Sequence, residues 1–416
     1  MQLQVILNRI DRHAGFVYER VRWSGEEHAE LEVEVRSRKR SRPICSGCGK
    51  KSPGYDRLDT RRYQYVPLWG LAVWLVYSPR RVRCRACGVK VERLPWATGK
   101  ERTTLSFQWF LARWAKRLSW QETARVFGTS WDTVFRAVKH AVCWGIRHRN
   151  LEGITAIGVD EVAYRKGHKY LTLVYQIDDG CRRLLWVGED RTKRTLRRFF
   201  CVFGKRRTGG LKYLCSDMWR PYLSVIAKQA SQALHVLDRF HIMQLFNKAI
   251  DQVRADEARR LKAAGNEVLK KTRWLLLKRR DKLDRKEVFR LKDLLVHNLA
   301  TLKSYLMKED FQRLWDYKSP WRIGRFFNEW IERALRSRIE PMQKVARTLD
   351  RHAEQIMNWF SAKGEISMGA IEGMNLKVKL TTRRSYGFRG KSKLKYALYH
   401  NLGQLPEPVF THKFSG

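Results

Sequence analysis

The sequence predicts a multidomain protein. A small cysteine-stapled β domain and a helical module precede an α/β core, and a long all-helical segment interrupts that core. Three observations predict this. Two C-x-x-C pairs fall within the first hundred residues, strand and helix signals alternate from Thr155 to about residue 250, and no strand pattern occurs between residues 251 and 355. At 416 residues the chain suits roughly two to four domains. Its 16 Trp, 15 Tyr and 18 Phe, within 44% hydrophobic residues, exclude global disorder.

The formal net charge is +44 and the pI about 10.4. Such a balance says nothing about fold, but it selects a polyanionic partner, and nucleic acid is the common one. No apolar run reaches the roughly 18 residues of a membrane span. The N-terminus MQLQVILNRIDRHAG has no secretory pattern. The expected setting is cytoplasmic, with the nucleoid, and without a membrane partner.

The first segment, residues 1–100, opens with the alternating strand LEVEVRSR from Leu31. Cys45-Ser-Gly-Cys48 and Cys84-Arg-Ala-Cys87 follow, each closed by a glycine. Each pair places two thiolates on a tight knuckle, and two knuckles make a tetrahedral site suited to Zn²⁺. The 35 residues between the pairs read as a hairpin or two strands returning the chain to the first knuckle. The expectation is a zinc ribbon with a structural ion, because four thiolates leave no open position. Arg61, Arg62, Arg80, Arg81, Arg83 and Arg85 surround it and point to phosphate contact. Cys143, Cys181, Cys201 and Cys215 are scattered in apolar settings.

Residues 101–150 read as helices. LSFQWFLARWAKRL has helical spacing, and Ser119-Trp-Gln-Glu122 is a capping box opening a short helix through Phe127. Gly128-Thr129 makes a turn, and Ser130 caps WDTVFRAVKHAVCW. Short helix, glycine turn and second helix form a helix-turn-helix pattern, which an ordinary helical hairpin also satisfies. As a DNA reader it would present Trp131, Asp132, Thr133 and Arg136 to base edges.

From Thr155 the pattern turns to strands. The first ends at Asp160, which gains no packing there and is expected at a solvent-facing sheet edge. KYLTLVYQID, RRLLWVGED, KYLCSD and ALHVLD follow, with the basic helix RTKRTLRRFFCVFG before the fourth strand. Three antiparallel strands followed by helix–strand crossovers is the ribonuclease-H-like order. In it the first and fourth strands are parallel neighbours, so Asp160 and Asp217 meet at their ends. Residues 151–250 are thus the first part of the core. Residues 251–355 are an all-helical insertion whose run of Lys270, Lys271, Arg273, Lys278, Arg279 and Arg280 could bind a phosphate backbone or be a solvated face. Residues 356–416 return to the core. There Glu372 begins a helix loaded with Lys377, Lys379, Arg383 and Arg384. Glu372 is either a salt-bridge partner of those cations or a third metal ligand beside residues that grip a DNA strand.

Three carboxylates on two strand ends and a helix suit hard divalent ions, Mg²⁺ or Mn²⁺, which serve phosphodiester cleavage and strand transfer alike. Glu161 adjoins Asp160, but strand neighbours point to opposite faces. Asp178 and Asp190 fall at the far ends of the hairpin strands. Asp238 and His241 form D-x-x-H at the end of the fifth strand, where His241 is either a capping or core histidine or an active-site group.

G-V-D-E at 158–161, S-D at 216–217, D-R-F-H at 238–241, and I-E-G-x-N followed by R-R-x-Y-G-F-R closely resemble bacterial insertion-sequence transposases of the ISL-three family. The ribbon and helix-turn-helix ahead of the core fit that family, and the resemblance covers nearly the whole chain. It implies a DDE transposase with Asp160, Asp217 and Glu372 as its metal-binding triad. Such an enzyme binds the terminal inverted repeats of its own element as double-stranded DNA, cuts there and joins 3′-hydroxyls to target DNA. Handling two ends together implies a homodimer on DNA. One departure is Met368, where an asparagine often precedes the glycine. Two other readings stand beside this one: a DNA-binding protein without catalysis, and a nuclease that hydrolyses and never joins.

Overall fold

A computed structural model of the chain describes residues 3–26, 29–165, 169–297, 299–362, 365–366, 369–385, 388 and 390–409. The basic turn at 166–168, Met368, and Tyr386, Gly387 and Arg389 of the C-terminal motif lie outside them. The described chain divides into two units, residues 1–150 with 378–416, and residues 151–377.

In the first unit, helix α1 (Leu3–Ile10) precedes strands β1 (Phe16–Ser24) and β2 (Glu30–Ser37). The alternation in β2 buries Leu31, Val33 and Val35 and leaves the glutamates between them on the outer face. Strands β3 (Gly54–Arg57), β4 (Arg61–Leu68), β5 (Leu71–Tyr77), β6 (Arg80–Cys84) and β7 (Gly88–Val91) follow. They divide between two sheets, β1-β2-β5-β4 and β3-β6-β7. The hairpin between the cysteine pairs therefore does not belong to the ribbon, as its position in the sequence suggested. Its strands β4 and β5 complete the larger sheet, whose core closes around Trp96, with Phe16 and Tyr77 edge-on at 4.8 and 5.4 Å. Only β3, β6 and β7 form the ribbon.

Helices α2 (Leu105–Trp114), α3 (Trp120–Val126) and α4 (Trp131–His148) follow. The Ser119–Glu122 capping box is made in both directions, and the Ser130 hydroxyl accepts from Thr133 N at 3.1 Å. Gly128 takes the left-handed turn conformation, φ +56°.

The second unit is built on strands β8 (Ala156–Arg165), β9 (Lys169–Gln176), β10 (Arg183–Glu189), β11 (Tyr213–Ser216) and β12 (Leu234–Leu237), in the order β10-β9-β8-β11-β12. β8, β9 and β10 are antiparallel, while β11 runs parallel to both β8 and β12. Helices α5 (Lys193–Phe203), α6 (Lys205–Gly209) and α7 (Arg220–Gln229) supply the crossovers. Leu196, Phe199, Phe203, Tyr222 and Val225 of α5 and α7 bury Ile157, Val159 and Leu214 on one face of the sheet. Alternation therefore sends Gly158 and Asp160 to the other face.

The chain after β12 is helical: α8 (Arg239–Ala263), α9 (Arg273–Leu277), α10 (Arg285–Leu295), α11 (Ala300–Gln312), α12 (Pro320–Arg336), α13 (Glu340–Asp350) and α14 (Ala353–Ala362). Its charges are not all solvated. Lys308 is buried, donates to the carbonyls of Leu276 and Lys278 at 3.2 Å, and so caps the end of α9. The basic run is partly paired: Lys270 with Glu267, Arg273 with Asp251 and Lys278 with Glu287.

Helix α15 (Ala370–Arg384) carries Glu372, and α16 (Lys391–Leu402) closes the described fold. Residues 378–416 cluster by their contacts with residues 1–150. Leu394 and Leu398 of α16 are buried, a Cβ added at Gly145 of α4 would lie 2.6 Å from Leu405 Cβ, and Glu407 pairs with Arg113 and Lys116 at 2.8 Å. Helical periodicity does not reveal which unit a helix covers.

Candidate active site and metal centre

Strands β6 and β7 and the loop before β3 bring the four predicted cysteines together. Their sulfurs all lie within 4.8 Å of one another, with Cys48 and Cys84 at 3.5 Å. Tetrahedral zinc with Zn–S bonds of about 2.3 Å places sulfurs about 3.8 Å apart, so the set fits. Gly47 gives the knuckle its closeness, since a Cβ there would lie 3.0 Å from Cys87 Sγ. The backbone N–H of Ala86 and the neighbouring Cys48 hold the Cys84 thiol low, at about 6. Four protein thiolates leave no position for substrate, and the ion is structural. Of the flanking arginines, Arg80 is turned inward, held by Glu92 at 2.7 Å, and serves the fold. Arg81 pairs with Asp56, and Arg83 lies 5.1 Å over Tyr55.

The carboxylates gather in the second unit. Asp160 is not at a strand tip facing solvent; it sits inside β8 and is 5% exposed. β8 stays paired with β9 to Arg165 but with β11 only to Val159↔Ser216. Asp160 and Asp217 therefore leave this parallel pair side by side. Asp160 accepts from Glu161 N at 2.7 Å and from Asn375 Nδ2 of α15. Tyr175 of β9, fully buried, donates to Asn375 Oδ1 at 2.8 Å. Burial raises the Asp160 pKa, against the lowering effects of His241 and these hydrogen bonds. Helix α15 approaches closely because β8 has glycine at 158: a Cβ there would lie 2.6 Å from Ile371 Cδ1.

Asp217 accepts from Trp219 N at 3.1 Å and from Arg191 Nη2 at 3.0 Å. The same guanidinium lies 2.8 Å from Glu161 Oε1 and 4.3 Å over the Trp219 ring. Burial, then the Asp217 charge, pushes Glu161 up to about 7 despite Arg191. Asp238 caps α8 through Phe240 N at 2.9 Å. His241 stands between acids, with Nδ1 3.3 Å from Asp238 Oδ2 and Nε2 4.0 Å from Asp160 Oδ1. Burial opposes its charge, but Asp238, Asp160 and Asp217 outweigh that and raise it to about 9.

The structure thus joins Asp160, Asp217, Asp238 and His241 in one cluster. Glu372 lies outside that cluster: it is exposed on the first turn of α15, three residues before Asn375. Among the described residues, no three carboxylates have oxygens within 4.8 Å of one another. Sequence reasoning set Glu161 aside as facing away from Asp160, yet Glu161 meets Arg191 at Asp217; it missed Arg191 and the pair Tyr175–Asn375. In the sequence Asn375 stands only as the asparagine of I-E-G-x-N, one helical turn after Glu372, with no role assigned to it.

The residues expected to read bases divide. Thr133 is buried on the first turn of α4, its backbone N–H donating to the Ser130 cap and its hydroxyl 2.9 Å from Ser130 Oγ. Trp131 packs against Trp120 and Phe135, with Lys393 Nζ 4.3 Å over its ring. Asp132 and Arg136 are exposed, and Arg136 pairs with Glu101 at 3.3 Å. Lys377, Lys379, Arg383 and Arg384 are exposed on α15, and Arg384 donates to Lys116 O.

No helix among the described residues is long and apolar enough to cross a membrane. A family profile of ISL3 type, described as "Transposase", matches residues 157–398. A second, described as "zinc-finger of transposase IS204/IS1001/IS1096/IS1165", matches residues 41–87. The chain is 30% identical over 379 residues to the transposase for insertion sequence element IS1001 of Bordetella parapertussis, covering 90% of this chain and 92% of that one. It is 27% identical over 401 residues to the transposase for insertion sequence element IS1557 of Mycobacterium tuberculosis, covering 88% and 87%. With its cysteine ribbon and the matched catalytic segment, the chain belongs to the ISL3 family of insertion-sequence transposases.

Proposed function

We propose that this transposase binds the terminal inverted repeats of its own insertion sequence, cuts DNA at those ends and joins the 3′-hydroxyls to target DNA. The observation that carries the reading is the exit of Asp160 and Asp217 side by side from β8 and β11, with Asn375, one turn beyond Glu372, bonded to Asp160. The strand order β10-β9-β8-β11-β12 supports a ribonuclease-H-like core.

In this reading Asp160, Asp217 and Glu372 form the catalytic triad. Their hard oxygen donors suit Mg²⁺ or Mn²⁺, which would supply an activated water or 3′-hydroxyl and charge stabilisation at the leaving oxygen. Glu372, exposed on the first turn of α15, would have to turn towards Asp160 to join the two aspartates. Arg191 holds Glu161 and Asp217 in place and offsets their charge, and His241 does the same for Asp160 and Asp238. Lys377, Lys379, Arg383 and Arg384 grip the scissile strand. The ribbon and the α3–α4 helix-turn-helix recognise the end, with Asp132 and Arg136 reaching the duplex. Two ends held together call for a homodimer on DNA.

The test is a labelled duplex carrying the element's own end, incubated with Mg²⁺ or Mn²⁺ and with wild type or Glu372→Gln. Cleavage and joined product from wild type, lost in the variant while end binding survives, support the reading. Tight binding without cleavage by wild type would sink it in favour of a non-catalytic DNA-binding protein. Hydrolysis without joining would leave a nuclease.

A further inference from the structure

The first unit holds a basic hollow that the proposed chemistry does not use. Arg61, Tyr63, Gly99, Lys100, Glu101 and Arg102 line a cavity of about 170 Å³. Its walls are fixed by backbone. Arg61 and Tyr63 stand two apart on β4 and so share a face. Thr98–Glu101 is a tight turn closed by Glu101 N to Thr98 O at 3.2 Å, with Gly99 at φ +61°. Arg102 and Thr104 are pinned to β4 by Gln64 N to Arg102 O at 2.8 Å and Thr104 N to Gln64 O at 2.9 Å.

The charges around this hollow are out of balance. Arg22, Arg62, Arg80, Arg81 and Arg113 of the same unit each have a carboxylate partner. Among the described residues, Arg61, Lys100 and Arg102 have none. Arg61 lines the hollow beside Tyr63, and the Arg102 guanidinium lies 6.0 Å over the Tyr63 ring. The one acid in the lining, Glu101, is taken by Arg136 of α4 at 3.3 Å. Cations brought together in this way repel one another unless an anion offsets them. Arginine forks and a hydroxyl are the donor set that holds a phosphate oxygen.

We propose that this hollow binds one backbone phosphodiester of duplex DNA, and that the Glu101–Arg136 pair ties the occupied loop to the N-terminal turns of α4. A phosphate seated there would set where α4 lies on the duplex, a positioning contact beside the residues that meet bases. The inference rests on the reading of this chain as a DNA-binding transposase.

The test uses the full chain and fluorescence anisotropy on two labelled duplexes, the element's end and a scrambled sequence, over a salt series. Zinc content and circular dichroism confirm the fold of each variant. Arg61→Gln/Lys100→Gln/Arg102→Gln is compared with wild type and with Arg22→Gln, a paired arginine away from the hollow. The triple variant is expected to weaken binding to both duplexes at least about tenfold and to flatten the slope of log K against log salt by about one or more, while Arg22→Gln does neither. Glu101→Gln, which frees Arg136, is expected to narrow the preference for the end. A triple variant with the wild-type slope and affinity overturns the inference and leaves DNA binding standing. Wild type that binds neither duplex overturns both. Inorganic phosphate that raises the melting temperature of wild type but not of the triple variant, with the duplex slope unchanged, would make the hollow a free-anion site and also overturn it.

Discussion

Asn375 donates a hydrogen bond to the Asp160 carboxylate and accepts one from Tyr175, so α15 is tied to the central strand at the residue that begins the proposed triad. Losing the Asn375 amide leaves a buried carboxylate oxygen short of a donor, at a cost of about 1–3 kcal/mol. Asn375→Ala is expected to lower the end-cleavage rate about tenfold or more while DNA affinity stays near wild type. Asn375→Asp, which sets a second carboxylate against Asp160, should be worse, and Tyr175→Phe milder. Equal rates for Asn375→Ala and wild type would show that the contact does not position the site.

Arg191 occupies Glu161 and Asp217 at once. A divalent ion drawn to Asp217 must compete with this guanidinium. Arg191→Ala is expected to lower the Mn²⁺ concentration that half-saturates the protein, measured by titration calorimetry, and Arg191→Lys to do so less. An unchanged or weakened Mn²⁺ affinity in Arg191→Ala would mean that the arginine supports the ion site rather than competing for it.

A buried histidine, His400, and a half-buried one, His235, should make the protein sensitive to acid. Burial, then Lys116, lowers His400 to about 3; burial, then His352, lowers His235 to about 4. Both fall below the unfolded value of about 6.5, so the unfolded chain takes up the protons. Their stabilisation is full above about pH 6.5 and is lost as the pH falls towards the folded values. Each contributes a slope of about 1.4 kcal/mol per pH unit in that window. Urea unfolding between about pH 7 and about pH 5 should show the loss, with His400→Gln flattening it by about one proton. An unflattened slope in that variant would place the acid sensitivity elsewhere.

How much of this could be read from the sequence depends on the range of the interaction behind each feature. The caps at Ser119, Glu122 and Ser130 and the two cysteine knuckles are local chemistry, and the sequence carries them almost completely. The pairing of β8 with β11 also followed, because strand order restricts the topologies. Thr133 did not: periodicity shows that α4 has an apolar face, but the phase that turns Thr133 inward is set by its packing partners. The reach of Arg191 to both Glu161 and Asp217, and the return of residues 378–416 to the first unit, are contacts between distant segments that leave no periodic trace.

The cysteine site should behave as a fold element. Cys84→Ser, or a strong chelator, is expected to drop bound zinc from about one per chain to near zero and to unfold β3, β6 and β7, which have few apolar contacts of their own. Calorimetry should then show an early transition for the first unit with that of the second unchanged. Full retention of structure after zinc loss would mean that the ribbon core of Cys45, Val82 and Cys84 suffices.

Gly158 tests whether close approach of α15 matters to the chemistry. A methyl at 158 would fall 2.6 and 2.7 Å from Ile371 Cδ1 and Cγ1, well inside contact. Overpacking of this kind costs about 1–3 kcal/mol. Because α15 also bears Glu372 and Asn375, its displacement should reach the cleavage rate, and Gly158→Ala should lose more in cleavage than in DNA binding. Ile371→Ala alone opens a cavity and costs about 2–4 kcal/mol. Combined, the two changes relieve each other, because the added methyl enters the space that the isoleucine leaves. A double-mutant cycle on unfolding free energy should therefore give a coupling of about 1 kcal/mol or more, with part of the cleavage rate recovered. Simple additivity would show that the strand does not press on Ile371, and that glycine at 158 serves some need other than room for the helix.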